Sequence, residues 1–144
     1  MKEIKLNFKV LGQAKPKQSV KFTRSGMRYT PKDAVIYANW IRNSFIIAYP
    51  EHKPEMLEGY YLDVELNAYF KTPESFSKKK KEQALKGLLR YDRRPDVDNL
   101  QKCIFDALNG IAYPDDKAIV DVSAHKYYAE SDYVEINIRG FKNE

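Results

Sequence analysis

"RRPDVDNLQKCIFDALNG", residues 93–110, sets three aspartates and three basic residues on a short amphipathic pattern. Leu100, Ile104, Ala107 and Leu108 recur at helical spacing. They predict a helix from Asn99 to Asn109, with Gly110 in the position that usually ends one. The apolar stripe, continued by Ile111 and flanked by Cys103, needs a sheet to pack against. Residues 98, 102 and 106 fall on the opposite face. Lys102 is one turn beyond Asp98. Asp106 is two turns beyond it, about 12 Å along the axis, too far for one ion to be held directly by both. Asp96 precedes the helix, just after Pro95, where an extended D-V-D sets Asp96 and Asp98 on the same side. Two such carboxylates repel unless something positive lies between them, and that something is either a side chain or a metal.

The sheet is sought on either side. Residues 2–11 alternate, with Ile4, Leu6, Phe8 and Val10 pointing one way. Residues 60–70 alternate again through Leu62, Val64, Leu66, Ala68 and Phe70. Ile119–Tyr128 and Tyr133–Phe141 are two more alternating runs, and the "AESD" between them predicts an antiparallel hairpin. "TPKD" supplies a helix start, with Thr30 as cap, Pro31 at the first helical position and Asp33 three after the cap. Ala34, Tyr37, Ala38, Ile41, Phe45 and Ala48 continue that helix toward Pro50. Ser77 caps a short lysine-rich helix that Gly87 ends, and residues 88–97 read as an exposed loop. The order predicts a single α+β domain over residues 1–144. Its core is one mixed or mostly antiparallel sheet of about four strands with helices packed on one face. Cys103, Trp40 and most of the eleven tyrosines read as packing groups. Tyr29 and Tyr91 lie in basic loops, where stacking on nucleic acid stays open.

A chain of 144 residues can bury a core without disulfide staples. One cysteine excludes an internal disulfide framework and fits a reducing compartment. No apolar run approaches the roughly 18 residues of a membrane span, and nothing near Met1 resembles a signal peptide. The expectation is a soluble, cytoplasmic protein with no membrane partner. The net charge is +5 and uneven. Lys15, Lys17, Lys21, Arg24 and Arg28 form a stretch without acids, and Lys71 to Arg94 holds nine basic against three acidic residues. A polyanion suits such clusters; a solvated lysine surface is the plain alternative for Lys78–Lys81.

Asp96 and Asp98 have a plain reading as helix caps, worth about 0.3–1 kcal/mol each. "YPDDKAIVD" adds Asp115 and Asp116 in a turn before a strand. If that turn folds back toward the basic loop, the gathered carboxylates need a hard divalent cation to neutralise them. Oxygen ligands suit Mg²⁺, or Mn²⁺ in its place. Two separated histidines and one cysteine do not suit zinc. Such a cation beside a basic surface points to phosphodiester hydrolysis. Lys102 is placed to neutralise developing charge, and Arg93 and Arg94 to hold flanking phosphates.

"RPDVDNLQKCIFDALNG", followed by Asp115-Asp116, Val120 and Lys126, resembles the RusA family of Holliday junction resolvases. "KPKQSVKFTRSGMRYTPKD" is similar to that family's basic loop leading into its first helix. The resemblance spans most of the chain. It implies a homodimeric, Mg²⁺-dependent endonuclease that binds four-way DNA junctions and makes paired symmetric nicks, often encoded by phages or prophages. Asp96, Asp98 and Asp116 fall on the family's metal-site aspartates and Lys102 on its essential lysine. Asp106, Asn99 and Asp115 fall in supporting or structural positions. Lys15, Lys17, Lys21, Arg24, Arg28, Arg93, Arg94 and Lys126 are the candidate DNA contacts. Where the family often carries a basic residue directly before the first motif aspartate, this chain has Pro95, with Arg94 one place earlier. Three rival readings are a nuclease for other branched or single-stranded substrates, a non-catalytic DNA-binding protein, and a DxD phosphatase. The last needs a hydrophobic strand where "LRYDRRP" stands.

Overall fold

The computed structural model describes residues 1–16, 21–22, 28–29 and 32–144, with the two short pairs described by backbone alone. The chain opens with β1 (Lys2–Leu11), and β2 (Lys21–Phe22) and β3 (Arg28–Tyr29) pair antiparallel within the basic segment. Helix α1 (Lys32–Ala48) follows, then β4 (Tyr61–Lys71), the short α2 (Lys78–Leu85) and α3 (Val97–Leu108). Strands β5 (Ile119–Ala129) and β6 (Tyr133–Lys142) complete the order. Thr30 and Pro31, the expected start of α1, lie outside the described residues.

Four strands form one mixed sheet in the order β1-β6-β4-β5. The alternation expected of β1 and β4 holds. Leu6, Phe8, Val10, Leu62, Val64, Leu66, Ala68 and Phe70 are buried, as are Val134, Ile136 and Ile138 of β6. Tyr37, Ile41 and Phe45 of α1 and Leu100, Ile104, Ala107 and Leu108 of α3 close over that face as one core. The other face is polar, with Asn67 and Asn137 both donating to the carboxylates of Glu65 and Glu135. Cys103 is buried with the core, as its place beside the stripe predicts. Trp40 departs from its expected packing role: it is 40% exposed, and its indole N–H donates to the Leu11 carbonyl at 2.8 Å.

The expected hairpin of β5 and β6 is not formed. β4 lies between them, antiparallel to β6 and parallel to β5, with Lys71 opposite Ala129 and Tyr69 opposite Tyr133. The short link steps over the end of β4, a distance of about 10 Å, which three residues can span. It is tied down there. Lys71 N–H donates to the Asp132 carboxylate at 2.8 Å, Thr72 N–H to Ala129 O at 3.1 Å, and Gly12 N–H to Asp132 O at 3.0 Å. Placed centrally, β4 is flanked on both sides, and Leu62, Val64, Leu66, Ala68 and Phe70 are each no more than 2% exposed. Gly140 shows how close the layers come: a Cβ there would lie 3.0 Å from Leu57 Cδ2.

Candidate active site

The chain reaches α3 through residues 90–96, and that approach is held at Arg90, Tyr91, Arg93, Arg94 and Pro95. Tyr91 stacks on Phe70 at 3.7 Å between centroids and 7° between planes, and its hydroxyl donates to Arg94 O at 2.7 Å. From β5, the Lys126 ammonium donates to Arg93 O at 2.8 Å and to Pro95 O at 3.0 Å. Arg90 Nε donates to Lys126 O at 2.8 Å, with its guanidinium 4.1 Å from the Tyr127 ring centroid. Tyr91 is thus an anchor of the loop, not a free stacking platform, and burial pushes its phenol up from the ordinary range.

α3 begins at Val97, so the extended D-V-D is not formed. Asp96 alone is extended (φ −71°, ψ 150°), and Asp98 already lies in the first turn. Leu100 N–H donates to Asp96 O at 3.1 Å, and the earlier start lets Leu100 bury fully. Asp96 occupies the cap position, yet its carboxylate makes no capping hydrogen bond. Asp96, Asp98 and Lys102 are exposed and Asn99 is half-buried. Among the described residues, none of Asp96, Asp98, Asp106, Asp115 and Asp116 is in an ion pair.

At the other end of α3, Gly110 turns the chain at φ +74°. Tyr113 is fully buried, and its hydroxyl donates to Phe105 O at 3.0 Å. Asp115 caps the short turn Asp116–Ala118 by accepting from Lys117 N–H at 3.0 Å. Asp116 has its carboxyl raised above the ordinary range. Burial is the first cause, then a hydrogen bond to the Asp115 side chain, then the negative charges of Asp115 and Asp106. The Tyr113 phenol is raised by burial and by the same Asp116 and Asp106.

The structure therefore brings Asp106, Asp115 and Asp116 into one electrostatic neighbourhood at the end of α3. It sets Asp96 and Asp98 at the start. The helix between them, twelve residues long, spans about 18 Å. Among the described residues, no three Asp, Glu, His or Cys side chains come close enough to hold one ion.

Of the candidate DNA contacts, Lys17 and Arg24 lie outside the described residues, and Lys21 and Arg28 are placed only as members of β2 and β3. Lys15 is exposed, 4.0 Å from Asp33. Arg93 and Arg94 are exposed beside the carboxylate pair, whereas two N–H groups of Lys126 are engaged by carbonyls. Lys78–Lys81 are exposed in the first half of α2, where Ser77 Oγ accepts from Lys80 N–H at 3.2 Å. Cations at a helix N-terminus oppose its dipole, so local helix stability does not account for them. The anchoring roles of Arg90 and Tyr91 are not legible in the sequence. The one signal was their position just before the "DRRPD" turn.

The class to which this fold and site belong is given by comparison: the chain matches a family of DNA-cleaving enzymes, described as endodeoxyribonuclease RusA, over residues 8–139. With the match running across nearly the whole chain, the protein belongs to the RusA endodeoxyribonuclease family. It is also 35% identical over 131 residues to a protein of Bacillus subtilis (strain 168) described as "Uncharacterized protein YqaN", covering 90% of this chain and 89% of that one. Among the described residues, no helix is long and apolar enough to cross a membrane.

Proposed function

We propose that this protein is a Mg²⁺-dependent, structure-selective endonuclease that resolves four-way (Holliday) junctions. It acts as a homodimer in the cytoplasm of a bacterial or phage-infected cell, with a prophage origin in keeping with its family. The observation that carries the reading is the Asp96–Asp98 pair. Both carboxylates are exposed, in no ion pair among the described residues and, at Asp96, without the capping hydrogen bond its position offers. They stand next to an arginine loop held by Lys126 of β5 and, through the stack on Tyr91, by Phe70 of β4.

The donor set fits the metal. Mg²⁺ is ordinarily held by one or two carboxylates, several waters and the substrate's own phosphate oxygens. Asp96 and Asp98 meet that demand without a three-carboxylate cage. Asp116, the third metal carboxylate that the family resemblance implies, stands with Asp106 and Asp115 toward the far end of α3, apart from the Asp96–Asp98 pair, so in a single chain it is not among that pair's ligands. A bound Mg²⁺ would polarise the scissile phosphate and lower the pKa of an attacking water. Around it, Arg93 and Arg94 hold flanking phosphates, and Lys102, one turn beyond Asp98, stabilises charge on the leaving oxygen. Lys126 fixes the backbone from which Asp96 projects. Asp106 and Asp115 set the field around Asp116, and Asn99 supports the helix start. Lys15, Lys17, Lys21, Arg24, Arg28 and the α2 lysines supply further phosphate contacts, and a two-fold dimer presents two sites to a two-fold junction.

The deciding experiment is cleavage of a labelled synthetic four-way junction with and without Mg²⁺, alongside flap, duplex and single-stranded controls. Paired symmetric nicks that require metal, vanish in Asp98→Asn and fall by more than tenfold in Lys102→Ala are expected, with junction binding kept in Asp98→Asn. Faster cleavage of flaps or single strands would move the substrate. Wild-type cleavage by Asp98→Asn would remove the metal assignment.

A further inference from the structure

Leu88 is the most exposed large apolar side chain among the described residues, at 77%. A single exposed leucine ordinarily calls for no explanation. This one is presented by the backbone. Helix α2 ends in a double turn: Gly87 lies at φ +80°, its N–H donates to Ala84 O at 3.1 Å, and Leu88 N–H donates to Gln83 O at 3.0 Å. In that arrangement the residue after the glycine usually folds an apolar side chain back onto the helix. Here the positions it would meet are Glu82 and Gln83, both polar. The leucine is thus fixed through its backbone and left facing solvent.

The chain around this tip is cationic. Residues 78–94 carry eight basic side chains against two acidic ones, and Lys86 and Arg90, two residues to either side of Leu88, are exposed. The tip is also tied to the candidate site through one residue of β5. Arg90 Nε donates to Lys126 O at 2.8 Å, and the Lys126 ammonium donates to Pro95 O at 3.0 Å, next to Asp96. An apolar side chain therefore stands in the basic stretch that leads to the carboxylate pair, with its backbone and its neighbour Arg90 both anchored.

We propose that Leu88 wedges between two stacked bases of the bound DNA, beside the phosphates that the arginine loop holds. The inference rests on the nuclease reading above and adds to it a contact that selects substrates whose bases are easily parted. The charge of the stretch calls for a polyanion, and the leucine calls for an apolar slot. Stacked bases on a phosphate backbone, about 3.4 Å apart along each strand, offer both. Leucine is among the side chains able to enter such a step and unstack it. One leucine is too small for a protein interface, which buries about 800 Å² on each partner. Parting a step is costly in a continuous duplex and cheaper where pairing or stacking is already interrupted, as at the crossover of a junction. The wedge thus favours branched DNA without reading a base edge.

2-Aminopurine, which brightens when it unstacks, tests the proposal. It is placed in turn at each position flanking the point that the wild type cuts, in four-way junctions, flaps and continuous duplex. The full chain carrying Asp98→Asn holds the DNA uncut. Binding is expected to raise the emission several-fold at one step of the junction and not in continuous duplex. Adding Leu88→Ser is expected to remove most of that rise, while junction affinity falls less than about fivefold and its salt slope is unchanged, because the phosphate contacts remain. The side chain is exposed, so the far-UV circular dichroism is expected to stay the same. Leu88→Met, apolar and of similar size, is expected to keep the rise. An equal rise with Leu88→Ser, or none at any position with Leu88 present, would overturn the wedge and leave the resolvase reading standing. A Leu88-dependent rise on flaps, with four-way junctions left uncut by the wild type, would keep the wedge and remove the resolvase.

Discussion

Lys126 and Arg93 are 33 residues apart in sequence, and the ammonium of the first donates to the carbonyl oxygen of the second at 2.8 Å. With the bond to Pro95 O at 3.0 Å, one side chain on β5 holds the backbone that leads into Asp96. Tyr91, whose ring centroid lies 5.6 Å from the same ammonium, ties the loop to itself through Arg94 O. The carboxylate pair at the start of α3 thus stands on a rigid approach although its own side chains are exposed.

Lys126→Met keeps the length of the stem and removes both bonds. Hydrogen bonds from a charged donor are worth more than neutral ones, and with half-exposure the expected cost is about 1–2 kcal/mol in urea unfolding. Cleavage is expected to fall more than junction binding, because the loop positions Asp96. Equal losses in the two would make Lys126 a plain DNA contact.

Tyr37 carries a buried hydroxyl with no hydrogen-bond partner among the described residues. Burial, with the nearby Cys103 second, drives its phenol far up from the ordinary range. Tyr37→Phe removes a desolvated polar group and keeps the ring, so a gain of about 1 kcal/mol is expected. A lower melting temperature would show that the hydroxyl has a partner in solution.

Asp116 gives a pH signature. Its carboxyl is raised in the folded chain, so the folded state holds that proton more tightly than the unfolded state does. Ionised Asp116 therefore subtracts from stability at neutral pH, and the penalty fades as pH falls through the raised value toward the ordinary carboxylate pKa of about 4. Asp116→Asn is expected to melt higher than wild type at pH 7, with the difference closing in acid. Added Mg²⁺ is expected to raise the melting point of wild type more than that of the variant. A constant offset at every pH would mean that the carboxyl is not perturbed.

Lys78–Lys81 sit where the dipole of α2 disfavours them. Replacing all four by alanine is expected to weaken junction binding and to reduce the slope of log affinity against log salt by at least about 1. The helix itself should gain slightly. An unaltered slope would make the run a solvated surface.

Much of this was legible in the sequence because it is local. The period of Leu100, Ile104, Ala107 and Leu108 marks α3, alternation marks β1 and β4, and Ser77 and Gly87 bracket α2. Strand pairing is not local. "AESD" reads as a turn whether its strands pair or straddle a third, and only the long-range pairing of β4 with both β5 and β6 decides between them. The start of α3 shifted for a similar reason: Leu100 gains its burial from the sheet, and the helix extends back to Val97. Lys126 reads as one more cation. That its charge is spent on two carbonyls depends on folding β5 beneath residues 93–95. Asp96, Asp98 and Asp116 are marked by residue type, while their division between the two ends of α3 follows from chain geometry.

The position of β6 has a consequence for how the protein comes into being. It follows every other strand in sequence, yet it lies inside the sheet and alone joins β1 to β4. While the chain is being made on the ribosome, β1 has no partner until residues 133–142 have emerged. A product that stops short of them has an unpaired β1, an exposed edge on β4 and no closed core. Truncation anywhere before residue 133 is therefore expected to abolish the folded sheet, not to trim one strand from its edge.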